Sequence, residues 1–456
     1  MAAGELLFVT VTRPDEVKDK RTQRAIRQRV MRDIGRSRRK QKGQTAITFI
    51  GHAHELNREQ EDIRPALKSN PLPIDLNDRA LELMHFMQSE ADYKYRPFRT
   101  VWFSMALCDV SAFKLCMANA AMFLDEVHHP ATFQYENSWE ALAYYGQGVN
   151  EVTRRLTSPD EHASEGLMTT VLGFVCHDLY VGTLDRWMYH IQGLKRMVEL
   201  RRGFHGLNAN LQLFASWFDV VGSATRDTLP LLSEYSYFHC SSTERTRKSP
   251  LLSQILKEIE EVADDSRHLI LALEEVAAVC QFVNRRFLQT GFWRQENDLS
   301  PLQVLGPPTQ LLLTMPRFGD PTPSRFSTVQ EMARVALMIL LAGLKQVYEL
   351  AAPEMVLFQS KLFALVNKGK LKDEESYLFP KLQIWALVTA SLFQPSGSQM
   401  NTYTQEISKR MLACGFPTGA RVLKDISNIL WIECLADPKA IEYLISKIDQ
   451  ARSPPL

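Results

Sequence analysis

The sequence predicts an all-α fold: a large multi-helix bundle preceded by a basic, largely flexible N-terminal arm. Three observations carry this. Apolar residues recur at helical spacing from about residue 77 nearly to the C-terminus. No sustained alternation of period two appears beyond that point. Positive charge is concentrated in residues 18–42, with acidic residues spread over the remainder. The expected organisation is a basic segment at 1–42, a polar linker at 43–76, and an all-helical body at 77–456.

The arm opens on Phe8-Val9-Thr10-Val11-Thr12, a β-branched run that suits a short strand. Pro14 followed by Asp15 and Glu16 then starts a helix, because proline fits the first turn and acids there face the positive helix end. Within residues 18–42 the basic positions are Lys18, Lys20, Arg21, Arg24, Arg27, Arg29, Arg32, Arg36, Arg38, Arg39, Lys40 and Lys42. Only Asp19 and Asp33 oppose these twelve, leaving +10 against a whole-chain charge of +1, so everything else sums to −9. Ile26, Val30 and Ile34 form a narrow apolar stripe at i, i+4, i+8, and Gly35 ends it. Such an arm suits nucleic acid, an import receptor or an anionic membrane surface, the bland alternative being a solvated charge run.

Residues 43–76 are polar and contain Gly43, Gly51, Pro65, Pro71 and Pro73, as expected of a linker. Beyond it, Trp187, Ile191, Leu194 and Val198 step 4, 3, 4. Phe214, Trp217, Phe218 and Val221 mark a second face, Leu252, Ile255, Ile259 and Val262 a third, and Leu269, Leu273, Val276, Cys280 and Val283 a fourth. Residues 332–348 are apolar almost all round, which predicts a helix at the centre of the bundle. Pro380 opens another helix, carrying Trp385. Twelve to 18 helices of ordinary length are expected, on the order of 10–14 residues each. Two breaks are expected: a polar loop at 241–250, and a long irregular loop at 299–327 marked by Pro301, Pro307, Pro308, Pro316, Pro321 and Pro323.

With 45% hydrophobic and 23% charged residues the composition is that of a soluble globular protein. The seven cysteines are scattered and form no CxxC pair, which favours reduced thiols in the cytosol or nucleus. The first sixteen residues lack the basic and apolar regions of a secretory signal. The charge-free apolar run at 335–344 has ten residues, whereas a span needs about 20.

Catalytic and metal chemistry have little support. Cys176-His177-Asp178 spells a nucleophilic set, but neighbouring residues on a helix point about 100° apart and cannot line up. His52, His54 and Glu55 could ligate a metal, yet a polar linker preorganises ligands poorly. His128-His129-Pro130 suits a helix end. Asp178, Asp185 and Asp219 lie among apolar helical residues, where a nearby Arg or a helix end is the usual partner. No GxxxxGK[ST] or strand-borne GxGxxG occurs. No enzyme activity, cofactor or metal is expected. A basic zipper fails as well, since residues 43–64 carry no leucine heptad.

The segment RWMYHIQGLKRMVELRRGFHGL, followed after a further stretch by DVVGSATRDTLP, is similar to a recurring part of the fungus-specific transcription factor domain. The matching positions are His190, Gly193, Leu194, Met197, Val198, Arg202, Gly203, Leu207, Asp219, Ala224 and Pro230, with Phe204 standing where the family often has a second glycine. EMARVALMILLAGL, the Trp385 segment and NILWIECLADPKAIEYL resemble later helices of the same domain. Residues 8–42 resemble a leader found on filamentous-fungal proteins with this body.

Many members of that family begin with a six-cysteine binuclear zinc cluster. Here no cysteine precedes Cys108. The resemblance therefore implies a regulatory helical body in a nuclear setting, without that DNA-binding module. The expected function is transcriptional regulation, the twelve basic residues of 18–42 making import and nucleic-acid contacts. The alternative is a non-DNA-binding nuclear co-regulator or interaction scaffold. Expected partners are an import receptor, DNA in weak sequence-tolerant contact, and a protein of the transcription machinery. No membrane is expected, and a homodimer is left open.

Overall fold

The computed structural model describes residues 77–89, 99–238, 248–262, 266–294, 297–317, 327–350, 352–367, 378–393 and 397–452. The expected basic arm, linker and strand at 8–12, with His52, His54 and Glu55, lie outside these residues. Among the described residues there are sixteen α-helices and no strand.

In chain order the helices are α1 (Asp78–Ser89), α2 (Arg99–Ala106), α3 (Val110–His128), α4 (Trp139–Arg155), α5 (Glu165–Val181), α6 (Leu184–Arg201), α7 (Ala209–Arg226) and α8 (Pro250–Val262). They continue with α9 (Arg267–Asn284), α10 (Ser300–Thr314), α11 (Ser327–Val347), α12 (Met355–Asn367), α13 (Pro380–Leu392), α14 (Ser398–Cys414), α15 (Gly419–Ile426) and α16 (Pro438–Arg452).

Local chemistry sets several boundaries. Asp109 caps α3, its carboxylate accepting from the backbone N–H of Ser111 and Ala112 at 2.8 and 3.3 Å. The helix ends at His128. Ser164 caps α5 by accepting from Leu167 N–H, and Gly182 closes it in the left-handed region at φ 79°. The Arg202-Gly203 turn does the same for α6. Arg202 stands at φ 61° and Gly203 at φ 122°, and Gly203 N–H donates back to the carbonyl of Val198.

The apolar faces read from the sequence pack inward. Trp187, Ile191, Leu194 and Val198 on α6 are fully buried. So are the α7 face of Phe214, Trp217, Phe218 and Val221 and the α9 face from Leu269 to Val283. Val262 departs from this: the last residue of α8, it projects past the packed part of the face and is exposed. Trp187 lies so close to Gly222 of α7 that a Cβ there would stand 2.1 Å from the indole. Absence of a side chain at Gly222 is thus what lets α6 and α7 close on each other.

Helix α11 is the axis of the later half and packs against α9, α10, α12 and α13. Its 21 residues are long and apolar enough to cross a membrane, but nearly all are enclosed by protein. Its charged residues Glu331, Arg334 and Lys345 are buried with ionic partners.

The expected irregular loop at 299–327 is corrected over its first half: residues 300–314 form α10. Pro301 sits in the first turn, where its missing N–H costs nothing. Pro307 and Pro308 lie inside the helix and deny an N–H to the carbonyls four residues back, a cost of about 3 kcal/mol or more for an interior proline. Leu302, Leu305, Leu312 and Leu313 offset it, all completely buried, each worth about 1.5–3 kcal/mol on burial. The helix also fits closely, since a Cβ on Gly306 would meet the Phe238 ring at 2.2 Å. Leucine spacing outweighed proline content.

Candidate functional site

Three features of the described body are candidates for function: a polar cluster among α3 to α6, a charged seam joining α7 to α11 and α12, and an apolar pocket between α5, α7 and the α11–α12 link.

The polar cluster is centred on Asp178, fully buried on α5. His190 of α6 donates through Nδ1–H to Asp178 Oδ2 at 2.8 Å. Arg186 Nη2 is 3.0 Å from Asp178 Oδ1. The Tyr145 and Thr183 hydroxyls lie 3.4 and 3.1 Å from that same oxygen. The turn at Gly182 folds α6 back on α5, which brings position 190 beside position 178. The Arg186 guanidinium also lies over the Tyr145 ring at 5.0 Å, and His190 stacks on Phe174.

His177, next in sequence to Asp178, turns to other partners. Its Nδ1 is 2.7 Å from Asn119 Oδ1 and its Nε2 is 2.8 Å from the Tyr135 hydroxyl. Burial pushes the imidazole down to about 4, so it is neutral at physiological pH. Cys176 is buried in the core, and burial pushes Cys116 and Cys280 up to about 12. The three consecutive residues therefore serve different contacts. What the cluster does chemically is tie α3, α4, α5 and α6 together through buried hydrogen bonds and an ion pair.

Asp219 on α7 accepts from the backbone N–H of Leu231 and Leu232 at 3.0 and 2.7 Å, fixing the chain that follows the helix. Burial nevertheless pushes its carboxyl up to about 6. Asp185 is exposed, 3.4 Å from Arg226. Among the described residues no group of three His, Cys, Asp or Glu is placed to hold a metal.

The charged seam begins at Asp227, the residue that ends α7 at φ 49°. Arg334 of α11 donates two bonds to its carboxylate, Nη1 to Oδ1 at 2.8 Å and Nη2 to Oδ2 at 2.7 Å. The guanidinium makes two more to Glu331. Lys361 of α12 also reaches Asp227 Oδ2, and Arg317 lies 3.4 Å from Oδ1. Burial would push the Asp227 carboxyl up, but Arg334 and Lys361 outweigh it and hold it well below the usual carboxylate range.

The apolar pocket has a volume of about 300 Å³. Leu179 and Tyr180 supply one wall from the end of α5, Trp217, Phe218 and Val221 a second from α7, and Leu350, Ala352 and Pro353 a third from the link between α11 and α12. A second buried ion pair stands next to it. Lys345 Nζ is 2.6 Å from Glu354 Oε1 and 5.3 Å from the centroid of Trp217.

The twelve basic residues from Lys18 to Lys42 lie outside the described residues, so none of them takes part in this geometry. The sequence named Asp178 and His190 separately and did not pair them. A signal was present: they are 12 apart with Gly182 between them, the separation of neighbours across a helical hairpin. The seam and the pocket carried no such signal, since their members lie up to 134 and 174 positions apart in sequence.

No curated protein and no solved structure matches this chain. The polar cluster, α7 with Asp219 and Asp227, and two of the three pocket walls fall within a segment that a family model does match. Residues 77–282 match the model of the fungal specific transcription factor domain.

Proposed function

We propose that this chain is a transcriptional regulator of a filamentous fungus, in which the helical body receives a signal and the basic arm provides nuclear import and weak contact with nucleic acid. The family match over residues 77–282 carries the reading of a transcriptional regulator. The charge separation supports the division of labour, +10 in residues 18–42 against −9 elsewhere.

Lys and Arg contacts to phosphate position a protein without reading sequence, and they release counterions. Purified full-length protein should therefore bind duplex DNA weakly, with little preference and a steep dependence on salt. If about six phosphates are neutralised, log K falls against log salt with a slope near −5. Removing residues 18–42 should abolish both affinity and slope. Tight binding to one sequence at high salt would place a reading surface in the helical body instead.

The second reading is a nuclear co-regulator or interaction scaffold that does not bind DNA, with the arm serving import alone. Lack of DNA binding at low salt would favour it.

A further inference from the structure

We propose that the pocket between α5, α7 and the α11–α12 link is a binding site for a small, uncharged aromatic molecule. Its walls decide the chemistry. Tyr180, Trp217 and Phe218 contribute rings, the other lining residues are aliphatic, and no carboxylate, amine, guanidinium or imidazole lines it. About 300 Å³ is the lower end of the size range of small-molecule sites, so the occupant is one or two fused rings rather than a lipid or a peptide.

The lining offers a charged ligand no counter-charge, and the neighbouring ion pair is matched within itself. Lys345 stands over Trp217, one of the lining rings, and disfavours a second cation there. Glu354 directly follows the lining residue Pro353. Its Oε1 is taken by Lys345, while its Oε2 is buried without a hydrogen-bond partner. That unshared carboxylate oxygen disfavours an anion. The pair is already neutral, and a charged ligand in an apolar pocket would find no counter-charge to offset its desolvation.

The site also joins two parts of the chain. Five lining residues belong to the family-matched segment and three to the link that follows α11. An occupant touches that link as well as α5 and α7, and a ligand that binds only the folded chain stabilises it. The proposal goes beyond the regulatory reading and is tested on purified protein, so its outcome is independent of nuclear or DNA-binding behaviour.

The test uses three probes of one shape: 2-naphthol as the neutral ring, 2-naphthoate as the anion and 2-naphthylmethylammonium as the cation. Binding to the full chain is followed by calorimetry and by the shift in thermal midpoint. The neutral probe should bind at least tenfold more tightly than either ion and raise the midpoint. Two variants plug the pocket: Ala352→Phe, at a half-buried position outside any helix, and Val221→Phe on α7. Whichever retains helical circular dichroism should lose at least tenfold in 2-naphthol affinity, while Leu412→Ala, on an exposed site of α14, should not change it. Equal binding of the ions, no binding of 2-naphthol up to its solubility limit, or full binding by a folded plug variant would each overturn the proposal.

Discussion

Arg334 and Asp227, 107 positions apart, are joined by two parallel hydrogen bonds of 2.8 and 2.7 Å with both side chains shut off from solvent. The pair fastens the end of α7, within the family-matched segment, to the central helix of the later half. A bidentate guanidinium–carboxylate pair is strong and geometrically selective. In a buried setting its worth shows mainly when one member is removed.

Asp227→Asn should cost about 3 kcal/mol or more, because Arg334 and Lys361 lose a buried counter-charge. Asparagine tolerates the left-handed conformation found at this position, so the loss reports on charge. Asp227 has a depressed carboxyl, so its contribution is complete above its ordinary value of 3.8 and is lost as pH falls through the lowered one. Urea unfolding at pH 7 and at pH 3 checks both statements: the gap between wild type and variant should narrow in acid.

His177 works in the same sense over a higher pH interval. Its imidazole goes from 6.5 when unfolded to about 4 when buried. Between those values the unfolded chain holds more protons, so stability falls as pH drops from 6.5 toward 4, by up to about 3 kcal/mol in total. Asp219 opposes this, since a carboxyl raised to about 6 from 3.8 favours the folded state as pH falls through that interval. The informative quantity is therefore the difference from His177→Gln, whose amide can still meet Asn119 and Tyr135. The variant should be less acid-sensitive than wild type between pH 6.5 and 4, and parallel pH curves would show that His177 is not buried neutral.

The seam between α6 and α7 can be tested from both sides. Leu194→Ala should cost about 2–5 kcal/mol, as other large-to-small changes in cores do. Gly222→Ala should cost about 1–3 kcal/mol by forcing Trp187 aside. Equilibrium denaturation measures both, and a loss below about 0.5 kcal/mol in either would mean that this face is not packed.

Much of this fold is legible in the sequence because helix periodicity is a local property. Trp187, Ile191, Leu194 and Val198 announce their own face, and residues 332–348 announce a helix buried all round. Helix α10 is obscured because its prolines read locally as breakers, while Leu302, Leu305, Leu312 and Leu313 supply the burial that overrides them. The candidate site is far less legible. Asp178 meets His190 only because Gly182 turns the chain. Asp227 meets Arg334, and Trp217 meets Lys345, through tertiary packing that no local pattern encodes.

Two basic clusters, residues 18–21 and 36–40, are separated by 14 residues, close to the spacing of a two-part import signal. Changing Arg38, Arg39 and Lys40 together to Ala should move a fluorescently tagged full-length chain from nucleus toward cytoplasm. Unchanged nuclear accumulation, or none in the parent protein, would remove the import role.

The most direct measurement of the regulatory account is chromatin association in fungal cells of the full chain beside one lacking residues 18–42, the latter supplied with an independent import signal. The account predicts that the full chain is recovered with chromatin in a salt-sensitive manner and that the shortened chain, though nuclear, is largely released. Absence of the full chain from chromatin, or equal retention of both chains at high salt, would contradict it.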